Sequence, residues 1–235
     1  MAEQTYQDRY GNIVKLEELL KNKSASEQIA IRYFNSVPIK SGCFSKTFAT
    51  DTDYLNIVNE QVGSLESRKT RALSRLGVDE DQVCEIPPVC FKGFTQLEDD
   101  VKGIKNDWIR LTANDHIVTP TQELTWLFFG NEQVFVYKVR IDTCDNSLKS
   151  ERTQEYFYKD VTAFASSSDS IRIKVPNVKK GCGSETVEYV DRNVDKESFR
   201  IVVPGEIFQC PLSREDDNES KISAMKQKLR EKKNT

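Results

Sequence analysis

The spacing of hydrophobic positions changes midway along the chain. Through roughly the first hundred residues it is helical. Ile13, Leu16, Leu19 and Leu20 give a short helix one apolar face. Ser24-Ala-Ser-Glu27 has the form of a capping box, in which the serine and glutamate side chains each satisfy an amide at a helix start. It predicts a helix carrying Ile29, Ile31, Tyr33 and Phe34, ended at Val37-Pro38, where the proline disfavours helical geometry in the residue before it. After a loop at Ser41-Gly42-Cys43-Phe44-Ser45, the longest predicted helix runs from about Thr52 to Leu76, capped by Asp51 or Thr52 and closed by Gly77. Leu55, Val58, Val62, Leu65, Lys69, Ala72 and Leu76 form a heptad-like stripe on it. About three heptads is short for a coiled coil, so the stripe predicts packing within the chain over a dimer seam.

From Asp107 the period becomes two. Trp108-Ile-Arg-Leu111 reads as the opening of a sheet, and Val89–Phe94 as a short strand before it. Glu123–Phe129 and Gln133–Ile141, joined through Gly130-Asn131, read as a β-hairpin. Phe135, Tyr137, Val139 and Ile141 share one face of the second strand. On the other, Val134 and Val136 give way to Lys138, Arg140 and Asp142, the pattern of a strand that is apolar within and polar outside. Further strands are predicted at Lys149–Tyr158, Ile171–Val175, Val187–Tyr189, Phe199–Val203 and Ile207-Phe208, with a loop from Pro176 to Gly183. The last element is a helix starting near Asp216–Asn218. Ile222, Met225 and Leu229 lie on one stripe, and Lys221, Lys226, Lys228, Arg230, Lys232 and Lys233 lie around it. The expected class is α+β: a helical region over residues 1–100, then, over residues 104–235, a barrel or sandwich of about seven antiparallel strands with a C-terminal helix.

Charge and composition narrow the function classes. A formal net charge of −3 offers no global field for nucleic acid, and none is expected as a partner. No apolar run reaches the roughly 20 residues that span a bilayer, and Met1-Ala-Glu-Gln-Thr-Tyr6 lacks the layout of a signal peptide, so a cytoplasmic address is expected. The six cysteines, Cys43, Cys84, Cys90, Cys144, Cys182 and Cys210, form no Cys-x-x-Cys pair. That spacing favours reduced thiols over a zinc site, and neither metal nor cofactor is expected.

Candidate chemistry is sparse. His116, the one histidine, sits in Ala113-Asn-Asp-His-Ile117, a turn between strands. A general base needs an orienting partner, and neighbouring side chains of an extended segment, such as Asp115, point away from it. Lys179-Lys-Gly-Cys-Gly-Ser184 carries the densest short signal. Its glycines could turn amides toward an anion, and Lys179 and Lys180 would lower the thiol pKa of Cys182. A glycine-rich turn is also what a hairpin needs at that point. The acidic runs Asp79-Glu80-Asp81 and Glu98-Asp99-Asp100 read as solvated turns and caps.

Seven strands followed by one amphipathic helix resemble the pleckstrin-homology (PH) superfold. Tyr156-Phe-Tyr-Lys-Asp-Val-Thr-Ala-Phe164 is similar to a recurring segment of bacterial PH-like domains, as are Phe199-Arg-Ile-Val-Val-Pro-Gly205 and Ile222–Arg230 to their final strands and helix. The resemblance covers roughly residues 104–235. It implies a binding scaffold. In eukaryotic relatives, basic residues near the first hairpin hold inositol phosphates. Arg110, with Lys102 and Lys105, occupies that region here, but Thr112–Thr125 contains no Lys or Arg, a departure from the dense basic pattern of phosphoinositide readers. The expected function is therefore a non-catalytic module that recognises a protein or peptide. The alternatives are a peripheral binder of anionic lipid, through Lys179, Lys180 and the C-terminal lysines, and a cysteine enzyme using Cys182.

Overall fold

The computed structural model of the chain describes residues 5–41, 46–95, 108–114, 116–180, 185–212 and 218–233. Strands β1 (Thr5–Gln7) and β2 (Ile13–Lys15) pair, followed by helices α1 (Leu16–Leu20) and α2 (Ala25–Phe34). A minimal hairpin, β3 (Lys40–Ser41) and β4 (Lys46–Thr47), precedes α3 (Asp51–Val62) and α4 (Leu65–Leu76). The capping box of α2 forms as its sequence predicts: Ser24 Oγ accepts from the Glu27 amide and Glu27 Oε2 from the Ser24 amide.

The single long helix expected over 52–76 is two helices. Gly63 breaks it with φ 71° and ψ −169°, a conformation open to glycine alone. Ser64 then caps α4 by accepting from the Ser67 amide, and Arg68 reaches back to the carbonyls of Val62 (2.6 Å) and Gln61 (2.9 Å), satisfying the end of α3. The heptad stripe is split with it. Val58, Val62 and Ala72 are buried, whereas Leu55 and Leu65 are exposed. Gly77 closes α4 in the left-handed region, as expected.

The remaining elements are β5 (Val89–Thr95), β6 (Arg110–Leu111), β7 (Ile117–Val118), β8 (Thr121–Phe129), β9 (Gln133–Asp142), β10 (Ser150–Phe157), β11 (Ala163–Lys180), β12 (Glu185–Val203), β13 (Glu206–Pro211) and α5 (Asn218–Lys233). They make a mixed α/β protein of antiparallel sheets with a C-terminal helix. One sheet has the order β10-β9-β8-β5 and another β11-β12-β13; β6 and β7 pair only with each other. The sheet thus takes in β5, upstream of the expected start at residue 104, and Trp108–Leu111 feeds a side hairpin. No ladder joins the sheets of four and three among the described residues, so the arrangement is open and not a closed barrel. Their edges approach at Gly93 and Pro211. A Cβ on Gly93 would stand 2.9 Å from Pro211 Cβ, and proline has no amide to extend a ladder there.

Strand β8 is buried along its whole length. On one face Leu124, Trp126 and Phe128 join Tyr137, Val139 and Ile141 of β9 in a cluster with Ala30, Tyr33, Phe34, Tyr54 and Val58 of the helices. On the other, Leu127, Phe129, Val134 and Val136 pack with Phe164, Phe199, Ile201 and Phe208 of the second sheet and Ile222, Met225 and Leu229 of α5. The face of β9 expected to look outward is therefore an inner face. The loop expected from Pro176 to Gly183 is strand as far as Lys180. β11 and β12 pair without interruption from Ala163↔Val202 to Lys180↔Glu185, and Pro176 is tolerated because β11 is an edge strand. β13 covers only Ser198–Val203 of β12, so the two-stranded remainder runs about 40 Å at about 3.3 Å per residue.

Two buried polar ties fasten the N-terminal segment to the sheet. Arg9, 5% exposed, donates to Asp142 Oδ2 at 3.0 Å, and Asp142 is fully buried. Thr121 Oγ1 shares that oxygen, while Oδ1 accepts the amides of Cys144 and Asp145. Glu27 of α2 accepts the amide of Asn146 at 3.1 Å. Burial pushes its pKa up, but the bonds from Ser24 and Asn146 outweigh that and hold it below the ordinary glutamate value.

Arg9→Met strands a buried carboxylate and is expected to lower the unfolding free energy by about 3–5 kcal/mol in urea titration. A loss under about 1 kcal/mol would mean that the amide donors alone sustain Asp142. A depressed folded-state pKa at Glu27 stabilises above its unfolded value and is lost as pH falls through the folded one. The wild type should therefore lose stability between about pH 5 and pH 3 more steeply than Glu27→Gln, measured by thermal unfolding across that range.

Candidate functional site

The seam where β5 and β13 approach opens into two adjoining recesses. The larger, about 570 Å³, lies between α3, the edge strand β5, the β6–β7 hairpin, the middle of β12 and the end of β13. Its apolar wall includes Leu55, Val58, Phe94 and Ile117. Leu55 is 39% exposed although it belongs to a largely apolar helix face. Gln122 also lines the recess; it is 5% exposed, and its Oε1 is buried without a hydrogen-bond partner among the described residues. A buried acceptor in that condition costs about 1–3 kcal/mol until a donor reaches it.

Asp51, Lys92, Asp195, Lys196 and Glu197 bring charge to this recess, and the first of them is held by the fold. Asp51 accepts the Tyr33 hydroxyl at 2.7 Å on one oxygen and the Ala113 amide at 2.7 Å on the other. Tyr33 stacks on Tyr54 with ring centroids 4.7 Å apart, and burial followed by the bond to Asp51 raises its pKa far above the ordinary tyrosine value. Thr119 donates to the Thr95 carbonyl at 2.6 Å, which ties the turn before β8 to the end of β5. His116 lines the same recess, half-buried, with its amide on Thr112 Oγ1 and its carbonyl on the Thr112 amide. The structure thus puts the lone histidine in a cleft and gives its backbone the turn role read from the sequence.

The smaller recess, about 480 Å³, is polar and lies between the two sheets. Glu123, Lys138, Arg140, Arg152, Lys196 and Glu206 supply its charges. It meets the larger recess at Thr95, Lys196 and Pro211, which line both.

The residues singled out from the sequence are scattered. Arg110 lies 4.2 Å over the Tyr33 ring and donates to the Tyr33 carbonyl, so its guanidinium braces α2. Lys179 and Lys180 end β11, and their side chains lie outside the described set. Cys182, Cys43, Lys102, Lys105 and Glu98–Asp100 also lie outside the described residues. Asp79 precedes a short 3-10 turn, and Glu80 within it pairs with Lys69. On α5, Lys228 and Lys232 pair with Glu85, Lys232 also donates to Asn131 Oδ1, and Lys233 reaches the Thr162 carbonyl at 3.5 Å. These lysines fasten the helix to the sheets. No helix among the described residues is long and apolar enough to cross a membrane.

Leu55, Gln122 and Lys196 escaped sequence reasoning. In the sequence Leu55 belongs to the heptad-like stripe, and no motif singles out Gln122 or Lys196. Only their convergence from three elements gives them a site. Comparison of the chain with protein-family models, with curated proteins and with solved structures finds no match.

Four of the cysteines are described, and all are free thiols. Burial raises Cys144 and Cys210 well above the ordinary thiol range, and the Asp142 and Glu123 carboxylates nearby add to it. In the folded protein Cys84, which is exposed, is expected to react with an alkylating reagent at neutral pH, and Cys144 and Cys210 only after unfolding. Mass mapping of the labelled peptides reads this out; early labelling of Cys210 would show that the polar recess opens widely.

Proposed function

We propose that the chain is a non-catalytic binding module on a PH-like scaffold, and that it holds an extended segment of a partner protein in the larger recess. The scaffold reading is supported by the sheets of four and three strands, seven in all, in the order β5, β8, β9, β10, then β11, β12, β13, followed by α5 with its buried stripe. The observation that carries the binding reading is the recess itself: an apolar-walled opening of about 570 Å³ bounded by an edge strand.

An edge strand offers amides and carbonyls to an incoming chain, and pockets beside it select side chains. β5 is such an edge, and Lys92–Thr95 lie along the recess. Lys92, exposed on this stretch, hinders indiscriminate pairing between edges, as charged residues do on natural sheet edges. The Gln122 Oε1 gives the segment a buried acceptor to meet with a donor.

The test is selection from a random peptide library displayed on phage, with the full chain as bait. Selected peptides should bind the wild type and lose about tenfold or more in affinity on Leu55→Glu, about 1.4 kcal/mol. Leu55 is solvent-facing, so that variant should keep its Tm. Peptides that bind both forms equally would remove the recess as the site.

A further inference from the structure

Gln122 is the second residue of β8 and stands opposite Phe94 of β5 and Ile141 of β9. Partners directly opposite in an antiparallel ladder share one face of the sheet. Here it is the face that meets the helices: Ile141 belongs to the cluster with Tyr54 and Val58 of α3, and Phe94 packs against it. Phe94 also stacks on Tyr54, with ring centroids 6.3 Å apart. Gln122 therefore lies at the base of the larger recess, with Phe94 and Val58 on its walls and the exposed Leu55 at its mouth.

The polar groups around Gln122 are engaged. Thr119 Oγ1 donates to the Thr95 carbonyl, and the oxygens of Asp51 take the Tyr33 hydroxyl and the Ala113 amide. Gln122 differs. Among the described residues lining the recess, its Oε1 is the one buried side-chain atom without a hydrogen-bond partner. The residues that follow it on the same face, Leu124, Trp126 and Phe128, are apolar and buried. Packing alone would be met by another apolar residue at this place, and a desolvated amide without a partner is destabilising. A group from outside the chain supplies what the fold does not.

We infer that Gln122 sets the specificity of the recess, and that the residue it selects in the partner segment is tyrosine: the ring enters between Leu55 and Phe94, and the phenol hydroxyl donates to Gln122 Oε1. The inference rests on the peptide-binding reading above and adds the identity of the anchor. A recess of about 570 Å³ lies within the range of about 300–1,000 Å³ usual for ligand sites. Its apolar wall suits the ring. The hydroxyl both donates and accepts, so it pairs with the glutamine amide in either orientation of that group. Oε1 is turned away from solvent, but the terminal torsion of glutamine is broad, and rotation about it presents the oxygen to the recess. Phenylalanine would meet the same walls and leave the amide sealed. A site that bonds a hydroxyl discriminates strongly against the analogue that lacks it, whereas apolar walls alone separate similar side chains weakly.

The experiment compares peptides selected on the wild type with peptides selected on Gln122→Met, which keeps the length of the side chain and removes the amide. That variant should hold or raise the Tm, because an unpaired buried amide is lost. Wild-type peptides should share a tyrosine anchor, and Tyr→Phe at the anchor should weaken binding to the wild type about tenfold or more. On Gln122→Met the same Tyr→Phe change should have no effect or tighten binding, and selection should return Phe, Leu or Met at the anchor. The comparison of Tyr and Phe peptides on the wild type needs no protein variant, so misfolding of Gln122→Met would leave the test intact. Wild-type peptides that are sensitive to Leu55→Glu but lack a tyrosine anchor, or bind equally with Phe, would overturn this inference and leave the binding reading standing. Failure to select any peptide sensitive to Leu55→Glu would overturn both.

Discussion

Strand β8 is buried on both faces from Thr121 to Phe129, and a strand in that state needs an apolar layer on each side. The rest of the molecule answers that need. Helices α2 and α3 bring Tyr33, Phe34, Tyr54 and Val58 to one face. The three-stranded sheet and α5 bring Phe199, Ile201, Phe208 and Met225 to the other. Neither layer is independent. The aromatic residues of α2 and α3 have no alternative core within the described helices, since they stack on each other and then on the sheet. The stripe of α5 is spaced for one contact face only, and its lysines complete the attachment at Glu85.

A strand buried twice over must also dispose of its polar residues. Thr121, Gln122, Glu123 and Thr125 are all within it. Burying a carboxylate is costly unless it is paired, and the ladder sets Arg140 directly opposite Glu123, with Lys138 two residues along the same face. Asp142 is satisfied in turn by Arg9 and by the amides after it. The polar end of the sheet is thereby the end where the second sheet cannot close on it. Apolar packing holds the sheets together beneath α5 and gives way to the charged recess toward Glu123. The seam is thus a consequence of where the apolar residues of β8 and β9 stop.

The parts legible in the sequence were the local ones. The Ser24–Glu27 capping box, the left-handed Gly77, the Gly130-Asn131 hairpin and the Ile222–Met225–Leu229 stripe each depend on residues within a turn or two of chain. Gly63-Ser64 was a readable break, overridden by a heptad pattern that ran through it. The alternation in β9 is plain in the sequence, but alternation alone does not say what lies over each face, and its polar face is turned inward. The nearly unbroken run Leu124–Phe129 was the better signal, since a continuous apolar strand needs cover on both sides. Pairing of β5 with β8 spans a long stretch of chain and has no local signature. The candidate site draws on α3, β5, β6–β7, β8 and the second sheet, so only the assembled fold could reveal it.

The seam also explains why two recesses of opposite character lie side by side. Gly93 lets Pro211 approach β5 so closely that no side chain fits between them, and this contact fixes the relative position of the two edges. On one side of it, α3 spans the gap without filling it, because Leu55 points to solvent while Tyr54 and Val58 take the core positions. On the other, Glu123, Lys138 and Arg140 occupy the gap with paired charges instead of apolar side chains. Filling either recess would require a larger residue at Leu55 or an apolar pair at Glu123 and Arg140. The first would leave Gln122 Oε1 sealed without a donor, and the second would extend the apolar core across the seam. The open seam and the two-faced burial of β8 are therefore set by the same few residues.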